Sequence, residues 1–414
     1  MKIDLSLRRV SLQIREPSFY ENPYATYRVL LADCPMFFWQ EHQLWTFASH
    51  RDVFDLLRDR RLGRQVSHIK TRQELGLDPI PERNQPFFDI DNLSMLASEP
   101  PVHTRMRSLV QKAFVARQVE GLRDQIQSLC NQLIDEIELE FASGLNHFDL
   151  LKEYATPIPV TIIADFLGVP RECCDDLLTW SHAMVQMYEM QRTPEMERNA
   201  VAASKEFVEF LRSYVSFRRN KLGDDLISHL IRVESEGEKL SEDELIANCI
   251  LLLNAGHEAT VNVIGNGMLA LLKNPEQLHL WRQGQVAPET AVEEILRFDT
   301  PLHQFNRWVL EPVEIQGQHL KVGQEIALLL GAANHDPAVF QQPSELHLER
   351  KPNPHVSFGG GIHFCLGASL ARLEVAIAIE TLIRRLPNLT LVNDPKFKNT
   401  YHFRGLESLM LAVR

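Results

Sequence analysis

Cys365 is the residue whose surroundings most readily point to chemistry. It follows three consecutive glycines (Gly359, Gly360 and Gly361) and His363, and Gly367 stands two residues beyond it. From 366 to 386 the chain places Leu370, Leu373, Ile377 and Leu382 at helical spacing with no proline before Pro387, which predicts one helix. The thiol therefore sits where a glycine-rich loop enters a helix. Unpaired backbone N–H groups and the helix dipole at such a start favour a thiolate. Just upstream, Val356 and Phe358 read as a short strand-like pair. The glycines let the backbone turn and approach a flat ligand closely. A lone cysteine is more often a small buried residue, so the rest of the chain has to decide.

Three further constellations bear on that decision. Ala255-Gly256-His257-Glu258-Ala259-Thr260 lies in a predicted helix that opens with Ser241 and Glu244, an S-x-x-E capping box, and runs to Leu272. That is about thirty residues, or roughly 45 Å. Between Ile250 and Ala255 it is apolar on nearly every face, which predicts burial through the centre of the protein. Glu258 is costly there unless it lies on a wet face or lines a small water-filled cavity. Glu294 and Arg297, three apart in a predicted 288–298 helix, share a face and can pair. His103 and Arg107, four apart in a helix begun by Pro100 and Pro101, also share a face.

Most of the remaining chain has to position these groups as helix. Helical spacing is read at 20–31, 52–58, 100–114, 118–142, 156–167, 171–190, 195–221, 225–235 and 275–283. Residues 36–47 read as a hairpin. Strand-like runs occupy 307–331, with Gly317 and Gly323 as turns, and the last strands are placed at 389–392 and 409–413. The polar, proline-containing stretch 65–93 lacks periodicity and reads as a long functional loop. A second loop is read at 333–354. The expected architecture is mainly α with a small β portion, in one domain spanning 1–414.

The chain has 414 residues, 44% of them hydrophobic and 24% charged, with a net charge of −12. That balance argues against a generic nucleic-acid surface. The six cysteines show no zinc-like spacing and suit a reducing, intracellular setting. No signal-peptide core opens the chain, and its longest strongly apolar run, 249–253, is far shorter than a membrane span. The expectation is a soluble cytoplasmic protein.

A thiolate held as Cys365 is can ligate haem iron. The run Phe358-Gly-x-Gly-x-His-x-Cys-x-Gly367 resembles the cysteine-ligand signature of the cytochrome P450 family. Ala255-Gly-His-Glu-Ala-Thr260 resembles that family's oxygen-binding motif, A-G-x-[DE]-T-T, except that Ala259 stands where a threonine is usual. One residue is about 100° around a helix. Thr260, a water or a substrate hydroxyl is therefore left to supply the alcohol. Glu294-x-x-Arg297, followed by Pro301 and Arg307, resembles the family's ExxR motif, with Arg350 as a candidate third partner. The four motifs run in the family's order over nearly the whole chain.

The resemblance implies a soluble, bacterial-type haem-thiolate monooxygenase with the cytochrome P450 fold. It assigns Cys365 as ligand to the iron of haem b. His103, Arg107, Ala255, Arg307, Phe358, His363 and Gly367 become contacts to the cofactor, with His355 a weaker candidate. Glu258 and Thr260 become the catalytic pair. O2 would be co-substrate, and one of its oxygen atoms would enter a C–H or C=C bond of an apolar or amphipathic small molecule. Electrons would come from NAD(P)H through a separate ferredoxin and its reductase, docking near Arg105 and Lys112. No nucleic acid and no membrane partner is expected, and the protein is expected to be a monomer. Substrate lining is expected from 65–93, from the helix around Met184, Met187, Tyr188 and Met190, whose methionines read equally as pocket lining or as ordinary helix core, from 302–305, and from Arg404, Gly405 and Leu406. Two rivals stay open on sequence alone: a peroxide-driven or redox-neutral haem-thiolate enzyme, and a haem-binding sensor without turnover.

Overall fold

A computed structural model describes residues 1–235 and 240–413, and shows a mainly helical protein with a small β portion. Its contacts divide the chain into two compact units. One comprises residues 1–62, 120–158 and 259–414, the other 63–119 and 159–258.

In the first unit, the hairpin expected at 36–47 forms from the strands Met36–Trp39 and Leu44–Phe47. The sheet continues from Leu44–Phe47 to Glu325–Leu329 in parallel, and then to Gln304–Val309 in antiparallel fashion. On its other side it runs through Arg9–Ser11 to Lys2–Asp4. Val53, Leu57, Val309, Ile326, Leu328 and Val356 form an apolar core under this sheet. The helix Ala368–Arg385 packs against Arg123–Ala142 and Pro288–Phe298. Ala376, Ile377, Ala378, Ile379, Leu382 and Ile383 are all buried, so nearly every face of that helix is covered. Its direction and its start, just after Cys365, are thereby set by packing.

In the second unit, the helix Pro194–Arg219 packs against Cys174–Val185 and Gln85–Asp91, and Leu226–Ser235 packs against Val102–Gln111. The capping box forms as read: Ser241 N–H donates to Glu244 Oε2 at 2.9 Å, and Glu244 N–H donates to Ser241 Oγ at 3.2 Å. It launches the helix Glu242–Lys273, which belongs to the second unit as far as Glu258 and to the first from Ala259 onward.

Several local expectations change. The first helix region splits into Pro17–Tyr20 and Pro23–Asp33, because Pro23 is suited to a helix start and not to an interior. The stretch 65–93 is not loop throughout: Glu82–Asn84 makes a 3-10 turn and Gln85–Asp91 a helix, with Pro86 in its first turn. Seven residues are too few to show a period. Val356 and Phe358 form no strand. Val356 N–H donates to Asn334 Oδ1 at 2.8 Å, and its carbonyl accepts from Gly359 N–H at 2.8 Å, so the pair lies in a side-chain-anchored turn.

Glu374 sits on the Ala368–Arg385 helix at 2% exposure, and burial pushes its carboxyl up to about 8. Between its ordinary range and pH 8 the folded state therefore holds a proton that the unfolded state has released. Stability must fall as pH rises through that window. The loss from Glu374 between pH 6 and pH 8 is about 2 kcal/mol. We expect Glu374→Gln to flatten the pH dependence of the urea midpoint over this range. An unchanged slope would show that another group titrates there.

Candidate active site

The cysteine loop is built from backbone. Cys365 N–H donates to the Phe358 carbonyl at 3.0 Å, which closes the loop on itself. Gly359 and Gly361 have φ of +69° and +67°, a region side chains disfavour. A Cβ on Gly361 would also stand 2.5 Å from the Leu57 carbonyl oxygen, so the loop lies tightly against the residues that follow the helix His50–Leu56. The 3-10 turn Gly361–His363 then leads to Cys365, whose side chain is exposed. A Cβ on Gly367 would meet nothing within 4 Å. The other five thiols are poorer ligands: burial pushes Cys34 and Cys173 up, Cys174 to about 11, and Cys130 and Cys249 to about 12.

The Phe358 ring is fixed from one side by the Arg372 guanidinium, 4.4 Å from its centroid. Arg372 in turn holds Glu293, which also accepts from His355 at 3.0 Å. Burial pushes the Glu293 carboxyl up, but Arg372 and His355 outweigh it and hold it at about 2. His355 is thus engaged in positioning this loop.

Glu294 and Arg297 are completely buried and joined by two hydrogen bonds of 2.8 and 2.7 Å. Arg350 donates to both Glu294 oxygens, at 3.1 and 2.9 Å, and supplies the third partner. Asn353 Nδ2 and His347 N–H complete the carboxylate's shell. Arg297 donates further to the carbonyls of Asn334, Pro343 and Glu345. The pair is therefore a clamp on residues 334–353, the segment that leads into the cysteine loop.

Elsewhere in the first unit, Arg307 is buried on the strand Gln304–Val309, with its guanidinium 4.6 Å from the Phe305 ring centroid. Thr260 is buried at 4% exposure. Arg404, expected near the substrate, is a structural clamp: it donates to Asp299 at 2.7 Å and to the Tyr20 carbonyl at 2.6 Å. A Cβ on Gly405 would stand 1.9 Å from Asn262 Oδ1, so that tip passes hard against the Glu242–Lys273 helix.

The second unit carries His103 and Arg107 on the helix Val102–Gln111. His103 is buried, and burial together with the Arg107 charge holds it down at about 4, so it is neutral at pH 7. Arg105, expected at a docking face, is ion-paired with Glu244, whereas Lys112 is exposed. Ala255 is exposed although Leu252, Leu253 and Asn254 before it and His257 and Glu258 after it are buried. Ile250, Leu252, Leu253 and Asn254 are buried as expected, and Ala255 alone of 250–255 is exposed. Glu258 lies 3.3 Å from His182 Nε2 and 3.8 Å from His257 Nε2. The neighbour His257 was visible in the sequence, but His182, 76 residues upstream on Cys174–Val185, gave no signal. Met184 and Met187 are core residues, and Tyr188 donates to Asp91 at 2.7 Å.

This donor set fits haem. An exposed thiol at the end of a glycine loop suits a ligand to haem iron. Within the first unit Arg307 and His363, and within the second His103 and Arg107, are donors or cations of the kind that carboxylates require.

Comparison with known proteins agrees. The sequence matches the family described as Cytochrome P450 over residues 80–283 and 289–406. It is 37% identical over 407 residues to the polyketide biosynthesis cytochrome P450 PksS of Bacillus subtilis, covering 95% of this chain and 96% of that one. It is 34% identical over 404 residues to the cytochrome P450 monooxygenase PikC of Streptomyces venezuelae, covering 96% and 92%. The fold superimposes with a TM-score of 0.88, at 32% identity, on P450BioI in complex with an acyl carrier protein ligated to hexadec-9Z-enoic acid, covering 96% of this chain and all of the other. No helix among the described residues is long and apolar enough to cross a membrane. The chain belongs to the cytochrome P450 family, and is a haem- and O2-using monooxygenase of that family.

Proposed function

We propose that this enzyme oxygenates an apolar or amphipathic acyl-type molecule, with electrons drawn from NAD(P)H through a separate ferredoxin and reductase. The observation that carries this reading is the exposed Cys365 thiol on a loop closed by the Phe358 carbonyl. The acyl preference follows the relatives, one named for polyketide biosynthesis and one solved with a fatty acyl carrier protein. Bound haem supplies O2 activation and transfer of one oxygen atom to a C–H or C=C bond, helped by electron donation from a thiolate ligand.

The chain's own residues do the rest. Cys365 would hold the haem iron through its thiolate, and the Phe358–Cys365 hydrogen bond fixes its backbone. Phe358, steadied by Arg372, would shield the thiolate, and the missing side chain at Gly367 would leave room for the ring. His103 and Arg107, and on the other unit Arg307 and His363, would be the partners of the two propionates. Glu258 holds a proton for delivery to the oxygen side, because its carboxylate is buried yet partnered by the half-exposed His182, which solvent reaches. Thr260 serves as the alcohol of the relay.

The test is product formed per NAD(P)H consumed in a system reconstituted with ferredoxin and reductase. Its substrates are long-chain fatty acids and polyketide lactones that shift the iron from low to high spin. We expect Glu258→Gln to lower coupling about 10- to 100-fold, and Thr260→Ala to lower it comparably. Turnover with peroxide alone, and none with ferredoxin, would overturn the electron-donor assignment. An unaffected Thr260→Ala would pass the alcohol's role to water or substrate.

A further inference from the structure

Glu258 is the meeting point of two imidazoles. His182 Nε2 lies 3.3 Å and His257 Nε2 3.8 Å from Glu258 Oε2, and one ligand atom from each of the three residues lies within 4.8 Å of the others. His257 is oriented for ligation. Its Nδ1 is 3.1 Å from the Leu253 carbonyl oxygen, which can only accept, so Nδ1 carries the hydrogen and Nε2 presents its lone pair. That arrangement, one ring nitrogen donating to a carbonyl and the other turned to the site, is the usual support of a metal-binding histidine. The rings of His182 and His257 stand 5.2 Å apart at 50° to each other, so their nitrogens converge without stacking.

We propose that His182, His257 and Glu258 form a binding site for zinc or a similar borderline divalent cation. With metal–ligand bonds of about 2.0–2.2 Å, ligand atoms around a tetrahedral ion stand roughly 3.3 Å apart. The His182–Glu258 separation already has that value, and the His257–Glu258 separation of 3.8 Å exceeds it by about 0.5 Å. The His182 side chain is half exposed, which gives the ion a way in and leaves water to complete the coordination. Two imidazoles and one carboxylate favour zinc over magnesium or calcium, which prefer all-oxygen shells. A bound ion would take the oxygen that Glu258 needs for proton delivery, so zinc should inhibit turnover. This consequence rests on the relay role proposed above, whereas the site itself does not.

The experiment is calorimetric titration of zinc sulfate into the chelator-treated, haem-loaded protein near neutral pH. We expect one equivalent to bind, undisturbed by millimolar magnesium, and His182→Ala to weaken binding at least about tenfold. His182 is half exposed on a helix, so alanine should leave the fold intact, checked by circular dichroism and by the haem spectrum. Glu258→Gln should weaken zinc binding in the same way. Zinc bound as tightly by both variants as by the parent would overturn the site. Zinc that binds through His182 but leaves turnover unchanged would uphold the site and remove Glu258 from the relay.

Discussion

Cys365→Ala will abolish the thiolate-type Soret band of the reduced, CO-bound protein, and product formation with it. The argument is one of supply. A thiolate ligand has to be accessible and easily ionised, and burial raises each of the other five thiols, two of them to about 12. None of them can take over the role. The Cys365 side chain is exposed, so its removal leaves no cavity in a core. Phe358 keeps its partner as well, because the Cys365 group that binds it is the backbone N–H. The variant should therefore fold with parental helicity while losing the band, and the two spectra together separate ligation from stability. A retained thiolate band would mean that the ligand is another cysteine.

The second large effect is on folding. Glu294→Ala will strip a fully buried carboxylate from between Arg297 and Arg350, leaving two guanidiniums without their anion. Breaking a buried pair in this way costs about 3–5 kcal/mol, a large share of the stability of an ordinary domain. It will also free residues 334–353, which Arg297 and Arg350 fasten through backbone carbonyls. We expect soluble yield and haem content to collapse together, read by haem absorbance per mole of protein. Glu293→Ala is the control. Its carboxylate is about a quarter exposed and shares a partly exposed Arg372, so its loss should cost on the order of 1 kcal/mol. Equal damage from the two variants would show that the clamp at Glu294 has no special standing.

The parts of the site that were legible in the sequence are those whose geometry is local. Three glycines, a histidine and a cysteine within a few residues define a loop, because positive φ and close backbone approach leave few alternatives. The capping box at Ser241 and the pairing of Glu294 with Arg297 depend on helical spacing and could be read for the same reason. Arg350 could be named only as a candidate, since no local rule links residues 56 apart. The helix Gln85–Asp91 escaped notice because it is shorter than two full turns. Long-range contacts were illegible. Nothing in the sequence ties His182 to Glu258, Arg372 to Phe358, or Arg404 to Asp299. The burial of 250–255 was legible because the run is apolar on nearly every face, and only Ala255, at home both in a core and at a surface, departs from it.

The hydrogen bond from Cys365 to the Phe358 carbonyl also constrains how this gene can vary. It makes the segment between the two residues a ring of set circumference. Ile362 is exposed and open to exchange, whereas Phe364 keeps a ring contact with Phe358 at 6.2 Å, and no codon can be added or lost there without turning the thiol away from its direction. Differences in length between lineages should therefore collect outside this loop. For laboratory redesign, the cysteine loop accepts substitutions and no change of length.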